Sequence, residues 1–297
     1  MAPTKTIFQF SKQPSWLENM AVRSSGNLLV TRMDVPELWE IDPTTGEGRS
    51  IISIPSVSSL TGINELSDDI FAIGGGDYNF ATGAVAGSYG LWVVDLTGPT
   101  PVVREVVSKM PDVALLNGTA TLDASTVLAA DSTNGIIFQI DVETGSYSVW
   151  LDDPALKPAP EAPFPLGVNG IKIHDNYAYF TNTTQQTVFR ILLDENLKPS
   201  GSPETVVSGF LQDDCFIDAQ GTLFVVTHPT NMVMRVRDGE AEVIAGDYTS
   251  MDVAGGTACA LGRGSGDTNV LYVCTSGANA MPVNGQTEPA KVVAITL

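Results

Sequence analysis

Glu18-Asn19-Met20-Ala21-Val22, a Ser24-Ser25-Gly26-Asn27 turn, Leu28-Leu29-Val30-Thr31, a loop and Leu38-Trp39-Glu40-Ile41 make one repeated unit. Apolar and β-branched runs bounded by Gly, Pro, Asn and Asp are the signature of strands and turns. The unit recurs at Thr61-Gly62-Ile63, Asn117-Gly118-Thr119-Ala120, Asn169-Gly170-Ile171, Asp213-Asp214-Cys215-Phe216 and Gly255-Gly256-Thr257-Ala258. Successive starts lie 43, 56, 52, 44 and 42 residues apart. A period of this size is that of propeller blades. The fold expected is all-β: a single six-bladed β-propeller domain over residues 1–297. The first residue of each copy then points at a central channel.

The middle strands support this reading. Leu28-Leu29-Val30-Thr31, Ile70-Phe71-Ala72-Ile73, Val127-Leu128-Ala129-Ala130, Tyr179-Phe180-Thr181-Asn182, Phe224-Val225-Val226-Thr227 and Leu271-Tyr272-Val273-Cys274 are almost continuously apolar. Strands buried on both faces read this way. The last copy ends at Leu297 without a fourth strand. Thr6-Ile7-Phe8-Gln9-Phe10 has no other partner and is expected to supply the outer strand of the final blade, which removes free edges. Two insertions, 74–90 and the proline-bearing 152–167, interrupt the period. Each reads as a binding loop, and the second equally as a connector between blades.

Composition narrows the partners. The formal net charge is −19, with 34 Asp and Glu against 15 Lys and Arg. Such a surface repels phosphates and anionic headgroups, so neither nucleic acid nor membrane is an expected partner. The three cysteines, Cys215, Cys259 and Cys274, are too few for a disulfide framework. Cys259 and Cys274 fall on consecutive strands, and buried free thiols are the expected state. Residues 1–10 carry no apolar signal segment. A cytoplasmic location is expected.

The candidate site follows from the copy starts. Glu18, Asn117, Asn169 and Asp213 offer two carboxylates and two amides, a set of hard oxygens suited to calcium. Without a cation, Glu18 and Asp213 repel, and one keeps its proton. The plain alternative is that Asn and Asp at strand starts bond neighbouring backbone. His228 ends a middle strand and is placed to donate to a ligand or relay a proton. Arg32 ends the matching strand of the first copy. It is a candidate to hold an anionic group, or to pair with Glu18 or Asp34. Trp16, Tyr78, Phe80, Phe164, Met232, Tyr248 and Met251 lie near expected loops and strand ends and would line an apolar pocket. His174, in a His174-Asp175-Asn176 turn, is expected to be solvated. Neither a phosphate loop nor a Gly-x-Ser-x-Gly elbow is present.

These repeats resemble the SMP-30/gluconolactonase family of six-bladed propellers. The resemblance rests on Glu18 in Trp16-Leu17-Glu18-Asn19, Asn117 in Leu116-Asn117-Gly118, Asn169 in Val168-Asn169-Gly170-Ile171 and Asp213 ahead of Cys215-Phe216-Ile217. It implies a divalent cation, usually calcium, on Glu18, Asn169 and Asp213, with Asn117 on the substrate. It also implies a metal-dependent lactonase or esterase. Family hydrolases carry Glu-Gly-Pro-x-Trp and Asn-Asp-Gly where this chain has Glu18-Asn19-Met20-Ala21 and Asn117-Gly118-Thr119. The opening, residues 16–31, and Pro36-Glu37-Leu38-Trp39-Glu40-Ile41-Asp42-Pro43 look more like a fungal branch. That branch includes hetero-Diels–Alderases of tropolone-sesquiterpenoid pathways, which join a quinone methide to a terpene olefin. The resemblance therefore implies cycloaddition of apolar small molecules first, with no cofactor required. Glu18, Asn117, Asp213, His228 and Arg32 would be the catalytic groups. Calcium-dependent lactone hydrolysis comes second and a non-catalytic ligand-binding propeller third.

Overall fold

The computed structural model describes residues 1–297. It contains six four-stranded antiparallel sheets, a two-stranded hairpin and a single 3-10 turn. The first blade is Leu17–Val22, Leu28–Arg32, Glu37–Ile41 and Gly48–Ser53. The second begins at Ser59–Ser67, the third at Leu116–Thr121, the fourth at Val168–His174 and the fifth at Cys215–Ile217. The sixth is Gly256–Leu261, Val270–Thr275 and Lys291–Thr296, completed by Thr4–Gln9. The fold is a six-bladed β-propeller.

Two compact units are present: residues 1–56 with 213–297, and residues 57–212. The first holds blades five, six and one, and the second holds blades two, three and four. Inner strands are buried along their length, as in Leu223–Thr227 and, past its first residue, Ile70–Gly76. Outer strands face solvent, as in Val102–Val107. This gradient explains the apolar runs of the middle strands.

The N-terminal strand closes the last blade as expected. Thr4 pairs with Ile295 and Gln9 with Lys291, with a bulge between Thr6 and Phe8. Phe8 and Phe10 then pack against Trp39 of the first blade, with ring centroids 6.0 and 4.8 Å away.

The turns between third and fourth strands share a device. Asp42 Oδ1 accepts from the backbone N–H of Thr44 and Thr45, and Asp141 Oδ1 from Glu143 and Thr144. Both turns end in a left-handed glycine, Gly46 (φ 75°) and Gly145 (φ 72°). These glycines also let the turn touch its neighbour, because a Cβ on Gly145 would collide with the Val106 carbonyl of blade two.

The two insertions differ. Residues 74–90 contain a small hairpin, Tyr78–Asn79 with Gly83–Ala84. Residues 152–167 behave as a connector at their start. Leu156 is fully buried, and Asn182 Nδ2 donates to the carbonyls of Ala155 and Lys157 at 2.9 Å each. The cysteines are free and buried. Cys259 stands opposite Val273, and Cys274 opposite Ala258. The two thiols lie in different core clusters, on opposite faces of their sheet.

Two outcomes test this architecture. Removing residues 1–12 strips the outer strand from the final blade and exposes Lys291–Thr296 as an edge. The melting temperature is expected to fall by several degrees, and an unchanged value would refute the closure. Gly145→Ala pays about 1–2 kcal/mol for its positive φ and adds a collision with Val106. Gly83→Ala has similar φ (86°) but open space around it. Gly145→Ala should therefore melt lower, and equal losses would show that the turn does not approach blade two.

Candidate functional site

A single irregularity builds the site. In the first strand of a blade, two residues oppose one on the middle strand. The register slips between Leu17 and Asn19, Leu60 and Ile63, Leu116 and Thr119, Val168 and Ile171, and Gly256 and Ala258. In the fifth blade, Asp213 N donates to Val226 O while Val226 N donates to Asp214 O, the same two-against-one pattern. Such bulges re-aim a side chain and recur beside functional sites. The first bulge residue is polar in every blade: Glu18, Thr61, Asn117, Asn169, Asp213 and Thr257. The repeat start read as Gly255 in the last copy is thus displaced to Thr257. Middle-strand threonines fill two of the gaps. Thr31 Oγ1 accepts from Asn19 N at 3.0 Å and Thr181 Oγ1 from Gly170 N at 2.8 Å.

The second bulge residue is small in four blades: Gly62, Gly118, Gly170 and Ala258. Gly62 lies against the Asn117 carbonyl and Gly118 against the Asn169 carbonyl, closer than a Cβ allows. Asn117 and Asn169 are thus neighbours on adjacent innermost strands. Both are buried, and Asn169 Nδ2 donates to Thr183 Oγ1 at 3.0 Å.

In blades one and five, the second bulge residues are Asn19 and Asp214. Asn19 Nδ2 donates to Asp214 Oδ2 at 2.9 Å, and Cys215 N donates to Asp214 Oδ1 at 2.7 Å. Glu18 is buried, and its Oε2 accepts from the Trp16 indole N–H at 2.6 Å. Burial drives the Glu18 pKa up to about 7; the indole bond opposes this and the Asp214 charge adds to it. The carboxylate that acts on Glu18 is therefore Asp214, where the sequence pointed to Asp213. Asp213 Oδ2 lies 3.5 Å from His228 Nδ1. The Ser276 hydroxyl shares a hydrogen bond with His228 Nε2 at 3.2 Å. Burial pushes His228 down to about 4, so its ring is neutral at neutral pH. The Trp16 ring meets the His228 ring edge-on, with centroids 5.3 Å apart.

Arg32 is occupied elsewhere. It pairs with Asp34 and Glu37 and lies over the rings of Phe10 and Trp39. The Glu18 pairing weighed from sequence gives way to this one because Asp34 and Glu37 are two and five residues along the same chain. Its contribution is indirect, since Asp34 Oδ1 accepts from Trp16 N at 3.0 Å.

The apolar candidates scatter. Met232 is buried and in register with Thr227 and Gly246, a core position. Met251 packs on Ala254, Ala278 and Val283. Tyr248 is 66% exposed. Tyr78 and Phe80 stack edge-on at 5.2 Å on the hairpin insertion, with Phe80 51% exposed, and Phe164 is 36% exposed. The long loops 77–89, 152–167, 247–255 and 276–290 all leave their sheets at the bulged end. His174 is only partly exposed and lies 3.5 Å from Asp175.

The donor set does not fit a calcium ion as arranged. Glu18 faces an indole N–H, and both Asp214 oxygens accept N–H bonds, where a calcium cage needs six to eight converging oxygens. No three His, Cys, Asp or Glu side chains are grouped to hold a metal. Asn19, Asp214 and Ser276 are the residues sequence reasoning passed over. The doublet Asp213-Asp214 was the available signal.

No family model matches the chain. It is 30% identical over 308 residues to the "Putative hetero-Diels-Alderase" of Phoma sp, covering 91% of this chain and 86% of that protein. It is 26% identical over 310 residues to "Putative hetero-Diels-Alderase asR5" of Sarocladium schorii, covering 90% and 77%. Among solved structures, the calcium-binding protein regucalcin from Agrobacterium tumefaciens matches with a TM-score of 0.65. The match covers 99% of this chain and 94% of that one at 17% identity, a likeness of fold. Sequence and architecture together show that the chain belongs to the hetero-Diels-Alderase family of the Phoma protein, on the propeller scaffold shared with regucalcin.

Proposed function

We propose that this chain catalyses an intermolecular hetero-Diels–Alder cycloaddition, joining a reactive quinone methide to a terpene olefin in fungal terpenoid biosynthesis. Membership in the hetero-Diels-Alderase family carries this reading. The chemistry around Glu18 agrees with it. The reaction forms a C–C and a C–O bond at the expense of π bonds, and neither a proton nor an electron pair leaves. It asks the protein to hold two apolar reactants in contact and to place a donor on the carbonyl oxygen that gains electron density. A neutral Glu18 is such a donor. Its Oε2 is taken by the Trp16 indole, so Oε1 carries the proton toward the ligand. His228 is neutral and adds no competing charge.

Asn117 and Asn169 are proposed to contact the substrates from their own blades. Tyr78, Phe80 and Phe164 in one unit, and Tyr248 and Met251 in the other, lie on loops at the bulged ends of their sheets and are each proposed to offer apolar surface to a reactant. The reading takes no resident metal. Three buried free thiols suit a reducing compartment, and we place the protein in the cytoplasm. No helix is long and apolar enough to cross a membrane.

Two measurements test this. Turnover of a quinone methide with an olefin should survive chelation of divalent cations. Chelator-sensitive hydrolysis of lactones, with no cycloaddition, would replace the reading. Second, kcat/KM should fall as pH rises through about 7, because Glu18 loses the proton it donates. Glu18→Ala should cost about 10²–10³-fold, the usual loss for one such donor. Glu18→Gln keeps an N–H donor, so it should stay closer to the wild-type rate and lose the pH dependence. A wild-type profile that is flat from pH 6 to 8 would remove Glu18 from the donor role.

A further inference from the structure

The His228 ring meets protein on several sides, with 13% of the side chain left exposed. Nε2 is taken by the Ser276 hydroxyl, and Nδ1 faces Asp213 Oδ2 at 3.5 Å. Its Cδ2 lies against Gly255, where an added Cβ would stand 3.1 Å away and would also collide with Ser276 Oγ. Gly255 holds φ 65°, and its carbonyl accepts from Ser276 N at 2.7 Å. The remaining contact of the ring is the Trp16 indole, edge-on. The hydrogen bond to Ser276 occupies Nε2, and Asp213 stands in front of Nδ1.

Trp16 is gripped from two directions. Arg32 holds Asp34, and Asp34 holds the Trp16 N–H, while the Trp16 carbonyl accepts from Met33 N at 3.1 Å. That fixes its backbone. The His228 ring fixes its indole. The far end of the indole delivers Nε1–H to Glu18. Asp213 begins blade five, His228 follows the middle strand of the same blade, and Ser276 follows the middle strand of blade six. Two blades therefore brace one side chain of the first.

We infer that Asp213, His228 and Ser276 form a strut that positions Trp16, and through it the free oxygen of Glu18. His228 is thus a positioning residue and not a proton relay, and Ser276 is its anchor. The inference rests on the proposed donor role of Glu18 for its kinetic consequence, but its geometric part stands alone. Strut residues of this kind act through the orientation of the group that meets the substrate, where displacement of about 1 Å costs rate more than binding.

Ser276→Ala and His228→Phe in the full chain test it. The readout independent of turnover is the indole 1H–15N resonance of Trp16, assigned by its loss in Trp16→Phe. Ser276→Ala should shift or broaden that resonance, because the imidazole loses its anchor, and should leave the other three indole resonances in place. An unchanged Trp16 resonance in Ser276→Ala would overturn the strut. With a cycloaddition assay, Ser276→Ala should lower kcat several-fold with KM nearly unchanged. His228→Phe keeps a ring edge against Trp16 and should retain activity within about 10-fold, whereas a relay would lose the 10²–10⁴-fold typical of general acid–base catalysis. A loss of that size in a folded His228→Phe overturns the inference. If the wild type shows no cycloaddition while the Trp16 resonance moves in Ser276→Ala, the function reading fails and the strut stands.

Discussion

The bulge at the start of each innermost strand is the constraint on which this structure depends. A regular antiparallel pair alternates its side chains between two sheet faces. One extra residue breaks that alternation and frees a side chain from both faces. Here it does so in all six blades, and the freed residue is polar each time. Three of these residues then meet a side chain at the same end of their own blade. Asn169 bonds Thr183, Glu18 bonds Trp16 and Asp213 faces His228.

Blades five and one use the second bulge position differently from the others. Glycine at that position in blades two and three lets neighbouring strands touch backbone to backbone. Asn19 and Asp214 replace closeness with a hydrogen bond. A buried carboxylate costs several kcal/mol unless it is bonded, and Asp214 is bonded at both oxygens. Burial raises the Glu18 pKa to about 7, and the Asp214 charge beside it adds to that rise. The same neighbourhood raises Cys274 to about 12, chiefly by burial, with Glu18 and Asp214 adding to it. In the unit of blades five, six and one, Glu18 is held among buried groups, with the Trp16 indole N–H on one carboxyl oxygen.

Much of the architecture was legible in the chain. Leu28-Leu29-Val30-Thr31 and its five counterparts announced buried middle strands, because a strand covered on both faces has no reason to alternate. Thr6-Ile7-Phe8-Gln9-Phe10 announced the closing strand, because it had no other partner. Glu18, Asn117, Asn169 and Asp213 were marked as equivalent by their place in the repeat. The errors were local. Gly255 stood two residues from the true sixth position, since glycine pairs hide a bulge. Met232 read as pocket lining because it begins a strand, yet its register with Thr227 and Gly246 buries it.

What the sequence by itself determined was the repeat, its strand order, the closure of the last blade and the polar character of the first residue in five blades. These are properties of local pattern, and local pattern sets pairing and burial. Which of two adjacent aspartates acts on Glu18, where Arg32 spends its charge and what the His228 ring meets were decided only in three dimensions. Asp213 and Asp214 have the same chemistry and differ by one step in register. A one-residue step on a bulged strand turns a side chain from His228 to Asn19, and nothing in the order of amino acids reports that rotation until the neighbouring blades are in place.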